Sequence, residues 1–294
     1  MKYTYLDFKD DFPDDASCLA RIMELRYGKE PICHKCGKSS HFSHIPNRRA
    51  FACQCGHHVY PCAGTIFEKS STPLTLWFHA MYLMTSTRNG VSAKELERQL
   101  GVTYKCAYRI GHAIRKLMAE RNKENGDFSG HVELDESYFG GKATGKGRHG
   151  PLSGNNKTIV FGMLQRDGHF KGQIVPNVKR QTLRPIIKEN VQVGSTISTD
   201  ELLSYGALPV HGYEHGKVNH KKKQYVNGRF HVNGIENFWK HLKGGIRSTH
   251  IHVSRKHLQN YVEEFAFRFN NRKEPGTMFY RMLLHLAQHP KAAN

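Results

Sequence analysis

Three acidic residues and a cluster of cysteines carry the chemistry open to this sequence. Asp135 sits in HVELDESYF, which has the two-residue period of a strand, with Val132 and Leu134 marking its apolar face. Asp200 closes the strand-like STISTD. Glu236 lies in NGIENFWKHLKGG, which has helical spacing, and Lys243 follows seven residues later, two turns on and on the same side. An acid taken singly is most often a solvated surface group. Two acids on or at the end of strands and a third on a helix, all in a very basic chain, point instead to carboxylates that hold divalent cations. Mg²⁺ or Mn²⁺ takes oxygen ligands, and two such ions about 3.5–4 Å apart serve phosphoryl transfer by activating the attacking oxygen and stabilising the leaving one. Glu136 follows Asp135 directly, so strand alternation turns it to the opposite face and gives it a secondary place. Phe238 and Trp239 read as core packing.

The second constellation is Cys33-His-Lys-Cys36 and Cys53-Gln-Cys55, two short-spaced pairs separated by a loop. Five of the seven cysteines fall between positions 33 and 62. That crowding, an odd total and no secretory signal favour a structural tetrahedral Zn²⁺ in a reducing cytosol over disulfides. The second pair has one intervening residue rather than two, so His57, His58 and Cys62 stay open as alternatives to Cys55 for the fourth ligand.

The elements that must position these groups follow from period and punctuation. DDASCLARIMELRYG reads as a short amphipathic helix ending on Gly28, and the cysteine segment as small hairpins with little core of their own. PLTLWFHAMYLM is helical. SAKELERQLGVTYKCAYRIGHAIRK gives two helices broken at Gly101-Val102, with Ser92 and Thr103 as N-caps, a candidate helix-turn-helix. There Leu96, Leu100 and Val102 would pack inward, and Thr103, Tyr104, Lys105, Tyr108 and Arg109 would face a DNA groove. Beyond the linker-like ENGDFSG, HVELDESYF, KTIVFGMLQ and HFKGQIVP read as three antiparallel strands, the last two joined through RDG. QTLRPIIKENV is a helix, STISTD a strand, and ELLSYGAL a further helix. Two more helices, NGIENFWKHLKGGI and SRKHLQNYVEEFAFRFNNR, close the pattern. This is a layered α/β domain with mixed strand directions.

Lys and Arg total 44 against 25 Asp and Glu, a formal net charge of +19. Such an excess suits a polyanion, since neutralising phosphates releases counterions. No apolar run spans a membrane and the N-terminus is acidic rather than signal-like, so the expectation is a cytoplasmic protein held to nucleic acid. The glycine- and lysine-rich stretch from Lys142 to Lys157 fits an arm that follows a DNA backbone.

HVELDESYFGG, STDELLSY and HVNGIENFWKHLKGGIRSTHIHVSRKHLQNYVEEFAFRFNNR resemble the catalytic blocks of bacterial insertion-sequence DDE transposases that carry a zinc ribbon. CAGTIFEKSSTPLTLWFHAMYLM resembles the segment joining ribbon to helix-turn-helix in that group. The resemblance covers most of the chain. It implies an RNase H-like fold in which Asp135 and Asp200 bind the metals, Glu236 completes the triad, and Lys243 positions DNA. Some relatives place asparagine third, so Asn233 is a rival or accessory ligand, with a helix N-cap as its structural alternative. The implied division is an N-terminal helical segment (1–30), a zinc ribbon (31–66), a helix-turn-helix region (67–123) and the catalytic domain (124–290). The implied activity is metal-dependent cleavage of double-stranded DNA at mobile-element ends and strand transfer into target DNA, by a homo-oligomer. A nuclease that does not integrate, or a DNA-binding regulator with an inactive domain, would use the same residues differently.

Overall fold

The computed structural model describes residues 3–39, 42–140 and 157–288. The basic arm expected from Lys142 onward lies, up to residue 156, outside the described residues. The chain divides into two compact units, residues 122–270 and a discontinuous one made of 1–121 with 271–294.

In the discontinuous unit, α1 (Tyr5–Asp11) and α2 (Asp15–Tyr27) precede a three-stranded antiparallel sheet of very short strands. These are β1 (Ser43–His44), β2 (Phe51–Ala52) and β3 (His58–Val59). Gly28 ends α2 at φ +81°, as its place after the last apolar residue predicts. Next come α3 (Leu74–Ser86), α4 (Ala93–Leu100) and α5 (Tyr104–Asn122). The Ser92 hydroxyl accepts the Glu95 amide at 3.1 Å and Gly101 closes α4 in the left-handed conformation, so the two helices turn where expected. Leu96 and Leu100 are buried. Arg109 stays exposed while donating to the Thr72 hydroxyl at 2.9 Å and standing over the Trp77 ring. α3 begins at Pro73 without a side-chain cap of its own; both Asp15 carboxylate oxygens accept its first amides, at 2.9 Å each.

A last helix, α9 (Met278–Gln288), belongs to this unit and not to the domain that the sequence pattern extended to 290. Phe279 is 2 % exposed and lies among Tyr3, Phe8, Phe12 and Phe78. Burying such a ring is worth about 1.5–3 kcal/mol, which draws the end of the chain back to its beginning.

The 122–270 unit holds β4 (His131–Phe139), β5 (Thr158–Gln165), β6 (Phe170–Val175), α6 (Arg180–Asn190), β7 (Thr196–Thr199), β8 (Glu214–Lys217), α7 (Asn233–Gly245) and α8 (Arg255–Asn270). The strands form one mixed sheet in the order β6-β5-β4-β7-β8. The β4-β5-β6 meander is antiparallel, while β7 and β8 run parallel to β4. Asp167 takes a positive φ of 57° in the β5–β6 turn, a conformation that Asp tolerates better than most residues. Both faces of the sheet are covered. Phe139, Val160, Leu164 and Phe170 pack against α7 and α8 through Phe238, Trp239, Leu242 and Val262. Val132, Leu134, Phe161 and Met163 pack on the other side against Leu183, Ile187 and Tyr205. Val132 and Leu134 therefore mark one of two buried faces. ELLSYGAL does not continue as a helix: it forms a 3₁₀ turn at Leu203–Tyr205, followed by another at Pro209–His211. Gly206 and Pro209 interrupt the helical period there.

Candidate active site

Asp135 occupies the middle of β4, the central strand. The parallel β4–β7 register pairs Glu133 with Ser198, and two residues further along it Asp135 comes level with Asp200, just past the end of β7. Asp135 points to the α7 face, where the Trp239 indole N–H donates to its Oδ2 at 3.0 Å. Glu136 turns to the other face, as alternation requires, and its Oε2 accepts the Tyr205 hydroxyl at 2.7 Å. Asp200 Oδ1 accepts the Leu202 amide at 2.9 Å, which ties down the turn leaving β7.

These three carboxylates share one field. Burial, with the charges of Glu136 and Asp200, pushes the Asp135 carboxyl up to about 7. Burial, with the charge of Asp200, raises Glu136 to about 7 against the pull of the Tyr205 hydrogen bond. Lys243 on α7 lies in the same field: burial lowers its ammonium, Lys157 and Arg247 add to that, and Asp135 opposes it. Its Nζ sits 5.7 Å from the centre of the Phe139 ring. So Asp135, Asp200 and Lys243 come together, and Glu136 joins them although sequence alternation had set it aside.

Glu236 lies in the first turn of α7 and its Oε1 is 3.5 Å from His220 Nε2. Asn233 is the first residue of that helix and is exposed; it is not the cap, which falls at Val232 with no side-chain hydrogen bond. A residue that the pattern did not single out does that work. Glu133, 1 % exposed, accepts the Ile235 amide on Oε2 at 2.9 Å and the Arg166 Nε–H on Oε1 at 3.1 Å, with His231 Nδ1 3.3 Å away. Arg166 also donates to the carbonyls of Arg229 and His231. A Cβ on Gly234 would lie 2.9 Å from Glu133 Oε2, so glycine is what lets the carboxylate reach the helix end. The start of α7, and with it Glu236, Trp239 and Lys243, is pinned to β4 this way. The available signal was parity: Glu133 shares a strand face with Asp135.

The cysteines converge more tightly. The Sγ atoms of Cys33, Cys36, Cys53 and Cys55 all lie within 4.8 Å of one another, the one such group of metal-ligating atoms among the described residues. Cys33 and Cys55 are 3.6 Å apart, Cys36 and Cys53 3.8 Å. Four thiolates about 2.3 Å from a tetrahedral Zn²⁺ would be spaced by about 3.8 Å, so the cage has the size for that ion. Gly37 and Gly56, at φ +69° and +79°, close the two knuckles by donating to the Cys33 and Cys53 carbonyls. His57, His58 and Cys62 stand outside this set. Cys62 is buried, which pushes its thiol up to about 11. The cage can hold a metal ion through four sulfurs.

Fold and site define a mixed α/β domain with one acid in the middle of its central strand and another just past the end of the neighbouring parallel strand. The model of the ISXO2-like transposase domain matches residues 127–270, nearly the whole of the second unit. An uncharacterized transposase-like protein of Haemophilus influenzae is 37 % identical over 98 residues, 33 % of this chain and 78 % of that protein. An uncharacterized protein in transposable element ISH50 of Halobacterium salinarum is 26 % identical over 285 residues, 90 % of this chain and 94 % of that one. The chain belongs to the insertion-sequence transposases, with an ISXO2-like transposase domain over residues 127–270. Among solved structures, a pre-cleavage Mos1 transpososome aligns over 74 % of this chain and 80 % of its own at 12 % identity, with a TM-score of 0.29, an overlap that carries no argument.

Proposed function

We propose that this chain is a DNA transposase that cuts the ends of its element and joins them to target DNA with the help of divalent cations. One observation carries the reading: Asp135 and Asp200, from two parallel neighbouring strands, share a field with Lys243 close by. An antiparallel meander followed by two parallel strands, with helices on both faces, suits an RNase H-like domain. The donors fit hard cations. They are carboxylate oxygens, and burial with the neighbouring negative charges pushes the Asp135 carboxyl up to about 7, a repulsion that a bound cation would relieve.

Asp135 and Asp200 would hold the cations, and Glu236 or Asn233 from the first turn of α7 would complete the set. Bound cations supply activation of the attacking oxygen and charge neutralisation on the leaving one. Lys243 offers a positive charge beside Asp135, where a backbone phosphate would rest. In the first step water attacks the phosphodiester at the element end, the P–O3′ bond breaks, and the leaving oxygen takes a proton to become a free 3′-hydroxyl. That hydroxyl then loses its proton as it attacks a target phosphodiester, and the displaced target 3′-oxygen gains one. The four-cysteine cage would be a zinc ribbon and α4–α5 a helix-turn-helix, together recognising the ends. Two ends must be joined in one event, which calls for a homo-oligomer. Reduced thiols and a DNA substrate suit the bacterial cytoplasm. Among the described residues no helix is long and apolar enough to cross a membrane.

The test is a strand-transfer assay on a labelled duplex carrying the element's own end, with Mg²⁺, Mn²⁺ or EDTA. Asp135→Ala, Asp200→Ala and Glu236→Ala should each lose metal-dependent product, and full activity in all three overturns the assignment. Cut ends without joined products mark a nuclease, and binding without cleavage in any metal marks a regulator. Comparing Asn233→Ala with Glu236→Gln decides the third position.

A further inference from the structure

Asp135, Gly162 and Gly172 stand side by side on β4, β5 and β6 as cross-strand partners, so the row that carries the acid has no side chain on the next two strands. Glycine inside a strand weakens it and often marks a place where something must come close. Here that is the ring of Trp239. A Cβ on Gly162 would lie 2.6 Å from its Cζ2 and 2.9 Å from its Cη2. One on Gly172 would lie 2.8 Å from Phe170 Cε1, and the Phe170 ring meets the indole edge-on at 5.5 Å. Phe139 and Phe238 close around the same indole, which is 5 % exposed. Neither glycine has a positive φ, so space and not backbone conformation asks for glycine there.

We propose that Trp239 is a positioning residue of the metal centre: the bare row of Gly162 and Gly172 seats its indole on the sheet so that the N–H fixes the carboxylate of Asp135. The inference rests on the reading of Asp135 as a metal ligand. If filling the core were the only task, Phe would serve at 239, because an aromatic ring without a donor packs as well. The indole instead spends its single donor on the one carboxylate in that face's central row, at 3.0 Å. Trp239 lies between Glu236 and Lys243 on one side of α7, three residues after the first and four before the second. The helix thus brings the ring to Asp135 along with the groups proposed to act beside it. Carboxylates that ligate metals are themselves held by hydrogen bonds, and removing such a partner typically costs about 10–100-fold in metal affinity or activity.

The test uses the full chain and Mn²⁺ alone as the probe, read by the loss of the free-ion paramagnetic resonance signal, beside the Mg²⁺ dependence of end cleavage. Trp239→Phe keeps an aromatic ring but removes the N–H along with part of the indole's volume, a packing loss that the Phe238→Leu control gauges. It should weaken Mn²⁺ binding and raise the half-saturating Mg²⁺ about tenfold, with the KM for DNA unchanged. Gly162→Ala, which displaces the indole, should do the same, and combining the two should add little. Phe238→Leu is the control, a packing loss that leaves the donor in place and should melt earlier with metal binding as in the wild type. Wild-type Mn²⁺ binding and Mg²⁺ dependence in Trp239→Phe overturn the inference, as does a matching metal defect in Phe238→Leu. Asp135→Ala separates this from the underlying reading: if it binds Mn²⁺ like the wild type, the metal centre itself is wrong; if it loses the ion while Trp239→Phe keeps it, only the role of Trp239 falls.

Discussion

Replacing Asp135 with Asn should stabilise the metal-free protein above neutral pH. The carboxyl is pushed up to about 7 by burial and by Glu136 and Asp200, against about 3.9 for an unperturbed aspartate. A folded-state value above the unfolded one means stability that is complete below about pH 4 and lost as pH rises through about 7. At about 1.4 kcal/mol per tenfold change in proton affinity, the limit is about 4 kcal/mol. Glu136, also raised to about 7, draws on the same protons, so about 2 kcal/mol is the expected share of Asp135. Asn keeps an oxygen for the Trp239 N–H and removes the charge. The assay is urea unfolding in EDTA at pH 5 to 8, in a background where Trp77 is Phe so that Trp239 reports on its own unit. The advantage of Asp135→Asn should grow from about 0.7 kcal/mol at pH 5 to about 2 kcal/mol at pH 8. Mg²⁺ at about a hundred times its dissociation constant should return about 2.7 kcal/mol to the wild type alone. An advantage that is absent or flat across this range refutes the electrostatic reasoning.

Three further outcomes follow from other parts of the chain. Elemental analysis should find one zinc per chain, lost in Ser variants of Cys33, Cys36, Cys53 or Cys55 and kept in Cys62→Ser, His57→Ala and His58→Ala. Glu133→Ala strips a buried acceptor from Arg166 and from the end of α7, and should cost about 3 kcal/mol in urea unfolding; Glu133→Gln should recover part of it, and a loss under about 1 kcal/mol contradicts the clamp. Arg180, Arg184 and Lys188 form an exposed row along α6, and all three depress His211 after the effect of burial. If that row meets DNA phosphates, neutralising it should lower the salt slope of DNA binding by about 2–3, while an unchanged slope makes it an ordinary solvated face.

What could be read from the sequence was whatever local pattern determines. The meander, α6, α7 and the two cysteine knuckles all carry their period or spacing in the residues themselves. β8 does not: Glu214-His-Gly-Lys217 has no apolar alternation and is a strand only because β7 offers it a parallel edge. The ends of α3 and α7 were opaque for a related reason. Each lacks a capping side chain at its own N-cap and takes one from a distant acid, Asp15 or Glu133, so no search beside the helix finds it. Glu133 was not singled out by the strand pattern, in which only Val132 and Leu134 marked an apolar face. Its parity with Asp135 was visible, but that face is buried only because α7 and α8 return over it. The indole of Trp239 was seen as core, which it is; its donor could be assigned only once the partner of Asp135 on β5 proved to be glycine.

The interrupted first unit bears on synthesis. A chain grows from its N-terminus and domains tend to fold as they emerge. Phe8, Phe12 and Phe78 are made early, yet Phe279, which closes their cluster, arrives only with α9. All of residues 122–270 must be translated in between. A nascent or prematurely terminated chain can therefore hold every acid of the proposed centre while its first unit still shows aromatic surface to chaperones and proteases. Quality control on that surface would tie the survival of the proposed transposase to completion of α9.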